Sequence, residues 1–299
     1  MRIARRRFLM ITAAAACLPK TAYPKPLWRG IALGAAAQVS VAGTGQDRAI
    51  LQAIQAELEE VEALFSLYRP TSALSRLNAE GQLRAPPQAF LDLMALCAQA
   101  HDASEGRFDP TVQRLWRALA TGGDTQAARA TLGWEKVRVT PHLITLAPGQ
   151  ALTFNGIAQG YATDRITARL ALFGLDEALV HIGEYSARGG PYHIGMVDPN
   201  EGLVSTINLS SGTLATSSPG VMRIGGEAHV LGPKGERPLW STVTVEAAQA
   251  ALADAASTAF CLMSVAQIER ALKQDTGLRA VHLVDAQGRY RRLISARAE

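Results

Sequence analysis

From Glu177 onward the chain repeats one pattern, short β-prone runs cut apart by turns, and this limits what it can fold into. The runs are Glu177 to Ile182, Tyr192 to Val197, Leu203 to Leu209, Thr213 to Thr216, Val221 to Ile224, Glu227 to Leu231 and Thr242 to Val245, with two more around Ala280 to Val284 and Tyr290 to Ile294. Turns this closely spaced connect antiparallel neighbours. Two helical stretches, Ala247 to Ser264 and Val265 to Gln274, interrupt the series.

The first half is helical. Ile50, Leu51, Ile54, Leu58, Val61, Leu64 and Phe65 keep the helical period from Asp47 to Tyr68, and Pro70 forbids continuation. Thr71 to Asn78 is expected as a polar, partly helical loop, leaving Tyr68, Arg69, Ser75 and Asn78 exposed. Gln88 to about Ser104 is a second helix, and Thr111 to Leu119 a shorter one with Trp116 on its buried side. Strands are expected within Trp28 to Val41 and Lys136 to Leu146. With 48% apolar and 19% charged residues the chain has ample core, and no linker divides it. The fold class is therefore α+β, mixed, with mostly antiparallel sheets layered with helices.

The net charge of +4 does not point to nucleic acid, because Arg2, Arg5, Arg6, Arg7, Lys20, Lys25 and Arg29 crowd the first thirty residues. Arg5-Arg6-Arg7-Phe8-Leu9 is a twin-arginine pattern, and Leu9 to Leu18 is too short to span a bilayer. Residues 1–25 read as a twin-arginine export signal, which makes the protein periplasmic, and residues 26–299 as one domain. Ala22 has Lys20 at the −3 position of a cleavage site, and Ala-Ala-Ala-Cys17 is an imperfect lipidation site, so the processed end stays open. Cys97 and Cys261 sit in apolar helical runs as small hydrophobes, and spacing leaves their redox state open.

Leu152 to Arg165 is expected as a buried strand (Leu152 to Phe154), a bend at Asn155-Gly156 and a helix continuing to Phe173. The unpaired N–H groups of a helix start, flanked by Gly156 and Gly160, suit an anion. The spacing matches neither the dinucleotide fingerprint nor the P-loop, so turn chemistry alone is the competing reading. In the alanine-rich helix, Asp254 and Thr258 stand at i and i+4 on one face, where two hard oxygens can hold Mg²⁺ or Ca²⁺. The alternative is a local Thr258 bond to a carbonyl and an arginine partner for Asp254. His229, before a Gly-Pro turn, is a proton-transfer candidate. Asp109 and Asp198, each before proline, look like turn residues.

Taken in order, Phe65-Ser-Leu-Tyr-Arg-Pro with Ser75-Arg-Leu-Asn78, Gly106-Arg-Phe-Asp-Pro-Thr-Val112, Asn155-Gly-Ile-Ala-Gln-Gly-Tyr-Ala-Thr-Asp-Arg165, Ile194-Gly-Met-Val-Asp-Pro199, Leu214-Ala-Thr-Ser217, His229 and Ala253-Asp-Ala-Ala-Ser-Thr-Ala259 resemble the ApbE family over nearly the whole exported chain. The resemblance implies a single catalytic domain acting as a Mg²⁺-dependent FAD:protein FMN transferase. Such an enzyme splits the FAD pyrophosphate, attaches FMN through its phosphate to a threonine or serine of a client flavoprotein, and releases AMP. It further implies that Asp254, Thr258 and the backbone carbonyl of Ala158 bind Mg²⁺. Asn155, Gly156, Ile157, Ala158, Gln159 and Gly160 would lie against the pyrophosphate. Tyr68, Ser75, Asn78, Asp109, Thr111 and Asp198 would contact the flavin nucleotide, with His229 and Asp254 as the catalytic pair.

The sequence also departs from the family's pattern. Gln159 stands where a lysine is usual, Asn-x-Gly-Gly-Asp reads His181-Ile-Gly183-Glu184-Tyr185, and the turn after His229 has lost its carboxylate and hydroxyl in Gly232-Pro-Lys234-Gly235-Glu236. The leader, the bend motif and Ile182-Gly-Glu together resemble the NosX branch, linked to nitrous-oxide reduction. That likeness implies a membrane-bound, NosR-like client met transiently on its periplasmic side. The departures keep two further readings in view, an FAD-binding accessory protein without transfer and an FAD pyrophosphate hydrolase.

Overall fold

A computed structural model of the protein describes residues 26–42 and 45–296. The twin-arginine segment with Cys17 and Ala22 lies outside the described residues, as do Gly43 and Thr44. The first half runs β1 (Pro26–Ala32), β2 (Ala35–Val41), α1 (Asp47–Phe65), α2 (Ala73–Glu80), β3 (Gln82–Arg84), α3 (Gln88–Ala103), α4 (Gln113–Thr121), α5 (Thr125–Ala130), β4 (Arg138–Val139), β5 (Leu143–Thr145) and α6 (Ala158–Leu172). The second half adds β6 (Ala178–Ile182), β7 (Glu184–Arg188), β8 (Tyr192–Asp198), β9 (Gly202–Leu209), β10 (Gly212–Ser217), β11 (Arg223–Ile224), β12 (Glu227–Ala228), β13 (Thr242–Ala247), α7 (Ala250–Phe260), α8 (Val265–Leu272), β14 (Leu278–Val284) and β15 (Tyr290–Ile294).

Eight strands form one sheet in the order β1-β2-β6-β7-β10-β13-β14-β15, antiparallel at every pairing. Side chains alternate across it. Val180, Ile182, Ala215, Val243, Val245, Val281 and Leu283 face the helices and join the main core. Leu179, Ala187, Leu214 and Val284 face the other way, where the β8–β9 hairpin covers them with Tyr192, Ile194, Met196, Ile207 and Leu209. His181 and Tyr185 stack at 4.1 Å on that second face.

Among the helices, α7 is the one enclosed on all sides. Every residue of Ala250–Phe260 is buried except Thr258. Its alanines allow close approach, and the closest is to α6, where a Cβ on Gly160 would fall 2.2 Å from the Ala250 carbonyl oxygen and 2.7 Å from the Ala251 Cα. The same crossing supplies the α7 cap. Gln249, the N-cap residue, makes no side-chain cap bond, and Asp164 of α6 instead accepts the N–H groups of Ala250 and Ala251 at 2.7 and 2.9 Å. Arg165 and Arg169, further along α6, pair with the buried Glu57 of α1.

Four expectations are corrected. Thr71 to Asn78 is mostly α2, a capped helix in which Ser72 Oγ accepts from the Ser75 N–H and Gly81 closes the end at φ 70°. Leu152 to Phe154 is extended and buried but joins no ladder, because its hydrogen bonds go elsewhere. On the short helix α4 the buried residue is Leu115, with Trp116 only half-buried. Glu184–Arg188 forms a central strand where none was expected, its alternation masked by Glu184, Tyr185 and Arg188. Cys97 and Cys261 are both buried free thiols.

Replacing Asp164 with alanine removes both acceptors from the start of α7 at a buried crossing. Asp164→Ala should lower unfolding free energy by about 1–2 kcal/mol, measured by urea denaturation.

Candidate functional site

The bend after Phe154 is held from three sides. Leu152 exchanges both of its backbone groups with the Asn78 amide, Nδ2 donating at 2.8 Å and Oδ1 accepting at 2.7 Å. Phe154 packs edge-on against Phe65 and Phe90, and Tyr161, one turn into α6, packs edge-on against the same Phe65. The Phe154 carbonyl accepts from both Ile157 and Ala158, which closes the bend and starts the helix. Gly156 and Gly160 then bring the backbone onto α7. A Cβ on Gly156 would lie 2.9 Å from Thr258 Oγ1, and the Gly160 N–H donates to Asp254 Oδ2 at 3.2 Å.

Around Asp254 and Thr258 lies a set of hard oxygens. Ser217, at the end of β10, has its Oγ 2.8 Å from Ser257 Oγ and 3.4 Å from Thr258 Oγ1. The preceding Thr216 N–H donates to Glu184 Oε2 at 3.1 Å, so this carboxylate enters from β7 on the same side of the sheet. Burial pushes the Asp254 carboxyl up to about 7, the Gly160 N–H opposing it. Burial also raises Glu184 well above the carboxylate range, and the Asp254 charge adds to that. Among the described residues no lysine or arginine pairs with either carboxylate. Two buried carboxylates without a basic partner, beside three hydroxyls, fit a hard divalent cation of the Mg²⁺ or Ca²⁺ type. No cluster of three or more His, Cys, Asp and Glu side chains gathers among the described residues, so such a cation would draw on hydroxyl and carbonyl oxygens as well. Ala158, the buried first residue of α6, lies in the chain between Gly156, which meets Thr258, and Gly160, which meets Asp254.

His229 follows β12. Its Nδ1 lies 3.1 Å from the Pro219 carbonyl, which fixes a proton on Nδ1 and leaves the Nε2 lone pair as the acceptor. Burial lowers its pKa, so the ring is neutral at pH 7. Pro219 is two residues from Ser217, which ties His229 to the α7 face. Beyond His229 the turn closes on itself, with a Cβ on Gly232 meeting the Glu236 carbonyl oxygen at 2.5 Å and the Lys234 N–H donating to Glu236 Oε2 at 2.8 Å.

The remaining predicted residues divide. Tyr68 is 69% exposed, on a turn whose Ser66 carbonyl accepts from the Ser72 and Ser75 hydroxyls. Ser75 therefore shapes the turn that presents Tyr68, and Asn78 is committed to Leu152. Thr111 Oγ1 donates to Asp109 Oδ1 and accepts from the Gly133 N–H, while Pro110 receives the Thr153 N–H, tying this loop to the bend. Asp109 also borders a polar cavity of about 480 Å³ shared with His101, Gly106, Arg129, Gly133 and Lys234. Asp198 belongs elsewhere. On the far face of the sheet its Oδ1 accepts from the Asn200 and Glu201 N–H groups, which closes the β8–β9 turn, and its Oδ2 accepts from the Thr242 hydroxyl at the start of β13. Gln159 does not stand free over the bend, since its amide packs where a Cβ on Gly183 (φ +83°) would sit, 2.6 Å away.

Sequence reasoning missed Glu184 and Ser217. The signal for Glu184 was a carboxylate directly after the glycine that ends the β-prone run Ala178-Leu-Val-His-Ile182.

A family model described as the ApbE family matches residues 33–282. The FAD:protein FMN transferase of Salmonella typhimurium is 24% identical, over 90% of this chain and 88% of that protein. Among solved structures, the flavin transferase ApbE from Vibrio cholerae superposes with a TM-score of 0.79 at 20% identity, covering 91% of this chain and 97% of that one. The ApbE protein from Thermotoga maritima gives 0.77 at 25% identity, covering 89% and 96%. The antiparallel α+β fold is thus shared.

The buried Asp254 makes stability depend on pH with a definite sign. Its folded pKa is raised, so the stability held by the neutral form is complete below the ordinary value of 3.8 and is lost as pH rises through about 7. In a chelating buffer the melting temperature should fall between about pH 4 and about pH 7 and level off above that, and Asp254→Asn should flatten part of that fall.

Proposed function

The chain belongs to the ApbE family, and from that premise we propose that it is a Mg²⁺-dependent FAD:protein FMN transferase acting on a threonine or serine of a periplasmic client flavoprotein. The carrying observation is the clasp between bend and helix, in which Gly156 lies against Thr258 and the Gly160 N–H reaches Asp254. That clasp sets a helix N-terminus, favourable to a pyrophosphate, directly beside the oxygens suited to its counter-ion.

Asp254, Thr258 and the Ala158 carbonyl would hold Mg²⁺. Bound there, the ion withdraws charge from the phosphates. The N–H groups at the start of α6 orient the pyrophosphate, and the cavity beside Asp109 and Lys234 gives room for part of the nucleotide. The acceptor hydroxyl oxygen bonds to the phosphorus of the FMN half as the bond from that phosphorus to the bridging oxygen breaks. The hydroxyl proton passes to His229 Nε2, and AMP leaves with the electron pair on its phosphate oxygen. Burial supports His229 as base by favouring the neutral ring, and the Pro219 bond, which by itself opposes that shift, holds the ring proton on Nδ1 so that Nε2 is the open nitrogen.

The client is proposed as a NosR-like flavoprotein and the chain as a member of the NosX branch. Support comes from the twin-arginine pattern and from Ile182-Gly183-Glu184. A second reading, FAD binding without transfer, is favoured by Gln159, which packs on Gly183 and brings no cation to the bend.

Incubation with FAD, Mg²⁺ and the periplasmic domain of a candidate acceptor should add the mass of an FMN phosphoester. Intact FAD without adduct would favour the accessory reading, and AMP release without adduct a pyrophosphate hydrolase. Asp254→Ala should abolish Mg²⁺-dependent transfer in the same assay. His229→Ala should lower kcat by about 10²- to 10⁴-fold while leaving FAD binding, followed by flavin fluorescence, little changed.

A further inference from the structure

Glu184 has no part in the chemistry described above, yet it is 6% exposed and comes from the sheet toward the α7 face that carries Asp254. Its position is built. Gly183 takes a left-handed φ of +83° that turns β6 into β7, the Thr163 hydroxyl donates to the Glu184 carbonyl at 3.4 Å, and the Thr216 N–H fixes Oε2 at 3.1 Å. Oε1 has no hydrogen-bond partner among the described residues, and neither has Asp254 Oδ1. One residue beyond Thr216, the Ser217 hydroxyl stands within hydrogen-bond reach of Ser257 and Thr258. The two buried carboxylates are thus close enough for the Asp254 charge to act on Glu184, and Ser217, one residue beyond the Thr216 that holds Glu184, brings its hydroxyl to the helix that carries Asp254.

A hydrogen-bonded carboxylate with one free oxygen, in a place without lysine or arginine, is costly unless a cation or a proton neutralises it. Glu184 does not close a hairpin turn, as Asp198 does, or cap a helix, as Asp164 does. We infer that Glu184 is the second carboxylate of the divalent-cation site at Asp254 and Thr258. The inference rests on the Mg²⁺ reading above and adds to it. With two anionic groups the protein should retain its cation before any nucleotide phosphate arrives, because affinity at hard-oxygen sites rises with ligand charge. It also gives a physical place to Gln159, whose neutral amide packs on Gly183 next to Glu184 and does not compete with the cation for that charge.

The test is direct cation binding to the full-length protein without FAD, with Mn²⁺ as the probe and free Mn²⁺ counted by its electron paramagnetic resonance signal. Glu184→Gln keeps an oxygen that can accept from the Thr216 N–H and removes only the charge. It should weaken Mn²⁺ binding by about tenfold or more and shrink the rise in melting temperature that Mn²⁺ gives the wild type. Glu184→Asp, with charge kept at shorter reach, should fall between the two and serves if the glutamine variant does not fold. Asp254→Ala should bind no Mn²⁺. If both Glu184 variants bind as the wild type does while Asp254→Ala does not, Glu184 is overturned and the cation site at Asp254 stands. If the wild type itself binds no Mn²⁺, the cation reading and this inference fall together.

Discussion

The structure turns on one close contact, the crossing of α6 over the start of α7 at Gly160. Backbone meets backbone there with no room for a side chain, and three consequences are fixed at once. The Gly160 N–H points at Asp254, the Asp164 carboxylate falls on the exposed N–H groups of Ala250 and Ala251, and Gly156 comes to rest on Thr258. Capping and site geometry are therefore aspects of the same interhelical distance. The aromatic group of Phe65, Phe90, Phe154 and Tyr161 supports the contact from below, holding the chain on both sides of the bend to α1.

That packing has an electrostatic result. Burying Asp254 and Glu184 without a basic partner raises both carboxyl groups, whereas the other buried acid of this layer, Glu57, is met by Arg165 and Arg169. Glu57, whose role is structural, is thus compensated by arginine. At the α7 face the protein supplies serine and threonine hydroxyls, which leave negative charge in place for a cation.

Periodicity made much of this legible in the chain. The antiparallel sheet followed from turn spacing, α1 and α3 from apolar period and proline, and the pairing of Asp254 with Thr258 from i, i+4 geometry. Other parts were hidden for identifiable reasons. Leu152 to Phe154 looks like a strand because it is apolar and β-prone, but its partner is the Asn78 amide, 74 residues earlier in the chain. Glu184–Arg188 escaped notice because polar residues on a central strand break the alternation that signals one. Asp109 and Asp198 share the Asp-Pro pattern, yet one borders the cavity near the bend and the other closes a hairpin on the opposite face of the sheet. Nothing local to either pattern separates them, since sheet side is decided by strand register far away.

Thr258 is the single residue of α7 that the core leaves uncovered. Because a helix advances about 100° per residue, deleting one residue between Asp254 and Thr258 would rotate Thr258 into the apolar interior and bring Ala259 to its place. The core would lose its fit in the same step that the site lost its oxygens. Function and folding are thus written in one reading frame of this helix.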